Sequence, residues 1–155
     1  MQRNILKEAA NEIGTSLELG KPVIFRDLSL EDVSVLYATA HALYAAGDYH
    51  DAEKIFRQLT LCKPLDEKHW HGLGSTLQMQ KAYPDALTAW SMAALIGDDS
   101  PLPHFHAAEC LFSTGDAKQA LKALHEARKY IDLENKEHKA LINQIEILEK
   151  IWQSA

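Results

Sequence analysis

Apolar and small residues recur along this chain at a fixed interval of 34 positions. Tyr49, Ala52 and Phe56 shift onto Tyr83, Ala86 and Trp90, and again onto Ala117, Ala120 and Leu124. The same shift carries Leu36 to Trp70 to His104, Leu43 to Leu77 to Leu111, and Leu59 to Ala93 to Ala127. In each interval a small residue precedes a large one by four positions, a single helical turn. The small residue lets two helices approach closely, and the large one fills the gap to the next pair.

A period of 34 with this small-to-large order is the tetratricopeptide pattern, a helix hairpin repeated along the chain. It divides residues 33–66, 67–100 and 101–134 into three units. The middle unit matches the pattern best, with Trp70, Leu73, Gly74, Tyr83 and Ala86. The first supplies Gly47, Tyr49, Ala52, Phe56 and the closing Pro64, whereas the third diverges at His104 and Ala117. One hairpin cannot bury its apolar faces alone, so the units are expected to stack into a superhelix with a concave side.

Local signals share this register. Ser29 and Asp32 have the spacing of a capping box, with Leu28 and Val33 as a hydrophobic staple across it. Ser100 precedes Pro101 as an N-cap before a first-turn proline. Gly47-Asp48 and Gly115-Asp116 mark turns within the first and third hairpins. Two apolar stripes flank the array: Leu6, Ala9, Ala10, Ile13 and Leu17 before it, and Leu141, Ile142, Ile145, Leu148 and Trp152 after it. The expectation is an all-α, tetratricopeptide-repeat superhelix forming a single domain over 1–155. Residues 1–32 form an N-terminal helix and connector, 33–134 three hairpins, and 135–155 a C-terminal capping helix. The N-terminal stripe serves equally for packing on the first repeat or for joining a second copy of the chain.

Composition narrows the function. Glycine and proline are sparse, and the formal net charge is −6 with no clustered run of Lys and Arg, so nucleic acid is not an expected partner. Lys7 and Glu8 interrupt the stretch a signal peptide would need. No window reaches the apolar length of a membrane span. The chain is expected to stay in the compartment where it is made, without inserting in a membrane. Cys62 and Cys110 read as two reduced, partly buried thiols.

Proteins with this repeat line their concave surface mainly from the first helix of each hairpin, at positions 2, 5, 9, 12 and 13. Here those positions are Ser34, Tyr37, His41, Tyr44 and Ala45 in the first unit. They are Lys68, His71, Ser75, Gln78 and Met79 in the second, and Leu102, Phe105, Glu109, Phe112 and Ser113 in the third. Tyr37, His41 and Tyr44 are spaced by four and three, hence on one helical face. Aromatic area with hydroxyl and imidazole groups suits apolar anchors on an extended peptide whose backbone still needs partners.

His69 with His71, and His104 with His106 and Cys110, have spacings that suggest metal ligands. No third converging ligand and no general base accompany them, and neither H-E-x-x-H nor C-x-x-C occurs. No metal, cofactor or enzymatic activity is expected.

Residues 101–110, Pro-Leu-Pro-His-Phe-His-Ala-Ala-Glu-Cys, run on to the Gly115-Asp116 turn. This segment closely resembles the third repeat of the class II type III secretion chaperones. The first repeat agrees through Leu36, Tyr37, Tyr44, Gly47, Tyr49, Ala52 and Phe56, and the second through Gly72, Leu73, Gly74, Gln78 and Tyr83. The resemblance covers about residues 25 to 130. It implies a bacterial cytoplasmic chaperone that binds hydrophobic translocator proteins before export, keeping them unassembled and undegraded. A translocator segment with a P-x-L-x-x-P-like pattern would lie extended in the groove. Tyr37 and Tyr44 match groove tyrosines of the family, and His41 stands where relatives often carry an aromatic. Some members also partner a transcriptional activator, and a general scaffold for another protein would share this fold.

Overall fold

The computed structural model describes residues 28–97 and 99–155. Those residues form seven α-helices and no strand: α1 Leu30–Ala45, α2 Tyr49–Cys62, α3 Glu67–Met79, α4 Tyr83–Ile96, α5 Pro101–Ser113, α6 Ala117–Lys129 and α7 Lys136–Gln153. They fall into two compact units divided between Gln80 and Lys81. The N-terminal stripe of Leu6, Ala9, Ala10, Ile13 and Leu17 lies outside the described residues.

Side-chain caps set most helix starts. The Ser29 hydroxyl accepts from the Asp32 N–H at 3.1 Å, and the Asp32 carboxylate accepts from the Ser29 N–H at 2.9 Å. This reciprocal capping box starts α1 three residues ahead of the repeat boundary. Asp66 caps α3 by accepting from the Lys68 N–H at 3.1 Å. Ser100 caps α5, with Pro101 in the first turn where its missing N–H costs nothing. Asp116 and Asn135 cap α6 and α7.

The turns after α1 and α5 share one geometry. The Gly47 N–H donates to the Tyr44 carbonyl and the Asp48 N–H to the Leu43 carbonyl. Gly115 and Asp116 repeat this with Phe112 and Leu111. Each is a Schellman closure, which needs a left-handed residue just past the helix. Gly47 and Gly115 supply it at φ 84° and 90°. After α3 the left-handed residue is Lys81, at φ 60°.

In the first unit, α2 packs against both α1 and α3. Val33, Leu36 and Ala40 of α1 are buried, as are Ala52, Ile55, Phe56 and Leu59 of α2 and Leu73 and Leu77 of α3. Ala40 and Ala52 have no exposed surface, as expected for small residues at a close helix crossing. The Trp70 indole N–H donates to the Pro64 carbonyl at 2.8 Å, tying the α2–α3 turn to α3. At the far end, the Gln80 side chain donates to the Glu53 carboxylate at 2.8 Å, which also accepts from Arg57.

In the second unit, α5 packs against α4 and α6, and α7 covers α6. Phe105, Ala108, Ala120, Leu124, Ala127, Leu141, Ile145 and Trp152 form one core cluster. The Arg128 guanidinium reaches across to α7 and donates to both oxygens of Glu149, at 3.1 and 2.9 Å.

Candidate functional site: an aromatic cleft in the first unit

The register of α1 places Tyr37, His41 and Tyr44 on one face, and that of α3 places Lys68, His71, Gly72 and Ser75 on another. These two faces bound a cleft of about 330 Å³, completed by Glu67 and by Phe56 from α2. Six residues read from the sequence as groove-lining are therefore brought together here: Tyr37, His41, Tyr44, Lys68, His71 and Ser75.

Phe56 is the floor. Its ring has no exposed surface, because Tyr37 and His41 cover it edge-on with ring centres 6.2 and 5.7 Å away. Tyr37 and His41 are themselves in edge contact at 4.7 Å, and Tyr44 meets Tyr49 edge-on at 5.4 Å. An incoming side chain would therefore touch the tyrosine and histidine rings, not Phe56 itself. Gly72 makes this floor possible, since a Cβ at that position would overlap the Phe56 ring.

Burial, aided by Asp66, pushes the Tyr37 hydroxyl above the usual phenol range, and burial with Tyr49 nearby does the same for Tyr44. Both stay protonated at neutral pH and can donate or accept a hydrogen bond. Such groups can serve the unpaired backbone of an extended peptide while their rings bury its apolar side chains.

The remaining sequence-predicted positions lie elsewhere. Ser34, Ala45 and Met79 are exposed, Gln78 is half-buried, and none of the four lines the cleft. In the second unit, Leu102 is exposed. Phe105, expected on the groove wall, is instead 5% exposed and belongs to the core cluster that includes α7. Phe112 stacks on Trp152 with ring centres 4.4 Å apart. The Glu109 carboxylate accepts from His106 Nδ1 at 2.8 Å, and the His106 ring stacks on Trp90.

Phe56, Gly72 and Glu67 were not among the sequence-predicted groove positions. Phe56 read as filler between hairpins, and only the smallness of Gly72 opposite a large ring could have signalled the pairing. Cys110 is fully buried, and burial with Glu109 beside it pushes its thiol up to about 12, so it is held as an inert thiol. Among the described residues, no group of three or more His, Cys, Asp or Glu side chains is placed to hold a metal ion. No helix of the described residues is long and apolar enough to cross a membrane.

No protein-family profile matches the chain. The low calcium response locus protein H of Yersinia pestis is 31% identical over 112 residues, 72% of this chain and 67% of that protein. Among solved structures, PcrH bound to the chaperone-binding region of PopD is 31% identical at a TM-score of 0.79, covering 84% of this chain and 98% of that one. The Yersinia enterocolitica type III secretion chaperone SycD, in complex with a peptide of the translocator YopD, is 29% identical at a TM-score of 0.77. It covers 82% of this chain and 96% of that one.

Proposed function

This chain belongs to the class II type III secretion chaperones, a tetratricopeptide-type and non-enzymatic family, and we propose that the cleft of α1, α2 and α3 is where it holds its client. It binds hydrophobic translocator proteins and keeps them soluble and unassembled until export. PcrH and SycD are bound to segments of translocators, and a corresponding segment here would lie extended over Tyr37, His41 and Tyr44. The chaperone would do this in the bacterial cytoplasm, before the client reaches a membrane.

The observation that carries this reading is the cleft itself, with three ring side chains from one helix face set over a buried aromatic floor. Its volume suits one or two apolar side chains at a time. Each leucine-sized anchor buried there contributes roughly 1.5–3 kcal/mol. One or two such anchors give roughly 1.5–6 kcal/mol before the cost of ordering the segment, short of the roughly 8 kcal/mol of a micromolar complex. The cleft alone therefore holds a segment weakly and releases it readily.

Co-expression tests the reading. A translocator from the same secretion system should be soluble with this protein and aggregate without it. Tyr44→Glu puts a charge into the cleft and should abolish co-purification while leaving helicity by circular dichroism unchanged. Full client binding by a folded Tyr44→Glu protein would move the site elsewhere.

A further inference from the structure

The cleft is aromatic along α1 and charged along α3. At neutral pH the chain carries a net −6, yet among the described residues this cleft gathers one lysine and two imidazoles against a single carboxylate. Lys68, His71 and Ser75 are spaced by three and four on α3, so they share the face that borders the cleft. His41 stands opposite on α1, exposed, with its ring braced by Tyr37 and Phe56. A wholly apolar segment would satisfy the tyrosines and leave this polar wall facing hydrocarbon, which costs free energy unless the polar groups find partners.

We propose that the bound client segment presents an acidic side chain to His41, His71 and Lys68, flanked by apolar anchors that sit against Tyr37 and Tyr44. This rests on the groove reading above and names the client's chemistry. A carboxylate accepts several hydrogen bonds at once, and bonds from charged donors are about twice as strong as neutral ones. Among the described residues, the charged groups facing the site are few. Tyr37 and Tyr44 from α1 are neutral phenols. Only Phe56 reaches the cleft from α2, and α3 adds Glu67 beside Lys68. Asp66 and the buried His69 lie under Tyr37 at the start of α3. Glu67 is in the first turn of α3, where the helix dipole partly offsets its charge.

The pH dependence then has a definite sign. A bound carboxylate favours the protonated form of an imidazole beside it, so its affinity should rise as pH falls. A purely apolar segment should show the opposite trend, because a protonated imidazole resists burial.

Titration calorimetry of the full-length protein with synthetic P-x-L-x-x-P peptides, differing only by Glu or Gln at one x position, tests this. With the acid at the favoured position, the Glu peptide should bind roughly tenfold tighter than its Gln twin, and the ratio should widen at pH 6. His41→Phe should shrink the ratio while keeping the Gln peptide bound, and Lys68→Met should shrink it independently. Equal binding of every Glu and Gln pair overturns the proposal but leaves the groove reading intact, provided Tyr44→Glu weakens both. A ratio unchanged in both variants also overturns it. If no peptide binds at all, the proposal and the groove reading fall together.

Discussion

Gly72 determines the depth of the cleft. Its hydrogen occupies the space where any other residue would place a methyl group into the Phe56 ring, and that ring is fully buried beneath Tyr37 and His41. In Gly72→Ala the ring must move, and with no slack in the core it can move only by displacing the rings above it. Overpacking of this kind costs about 1–3 kcal/mol, and urea unfolding followed by circular dichroism should show it. Peptide affinity should fall as well, since the displaced rings are the binding surface. Unchanged stability and affinity would mean the floor is softer than its packing indicates. The tyrosines were legible in the sequence because helical spacing alone puts Tyr37, His41 and Tyr44 on one face. Phe56 was not, since its role depends on what packs over it from α1 and beside it from α3. Phe105 misled for the same reason: its position in the repeat says groove, but the core it shares with α7 has taken it.

The helices show where local signals suffice. Ser29, Ser100 and the Gly47 and Gly115 turns could all be read in advance, because a cap or a left-handed glycine acts over a few neighbouring residues. The turn after α3 carries no glycine, and nothing in its sequence marks the left-handed residue. There Lys81 takes φ 60°, a conformation that crowds the Cβ of an L-residue, and its side chain is exposed. Lys81→Gly should therefore stabilise the protein by about 1 kcal/mol, the steric relief outweighing the added freedom of glycine in the unfolded chain. Gly47→Ala and Gly115→Ala should each lose stability, since alanine would be forced into the same region. Thermal unfolding of the three variants provides the comparison. A lower midpoint for Lys81→Gly would show that the lysine side chain supplies an interaction larger than the backbone strain.

At the scale of the whole molecule, each unit has its own buried core, and the sequence-predicted groove positions are split between them. The first unit gathers six of those positions into one cleft, whereas the second commits Phe105 to its core and stacks Phe112 on Trp152. A client held as proposed should therefore leave its mark mainly on the first unit. Binding to the folded state alone stabilises it by about 2.7 kcal/mol when free peptide is present at a hundred times Kd. Amide hydrogen exchange reports where that stabilisation falls, because protection follows the free energy of local opening. With saturating translocator peptide, exchange should slow in α1, α2 and α3, most clearly near Tyr37, Tyr44 and His71. Tyr44→Glu should remove the effect. Protection confined to α5, α6 and α7 would instead transfer the site to the second unit, around exposed Leu102 and the Phe112 edge, and leave the aromatic cleft without its proposed client.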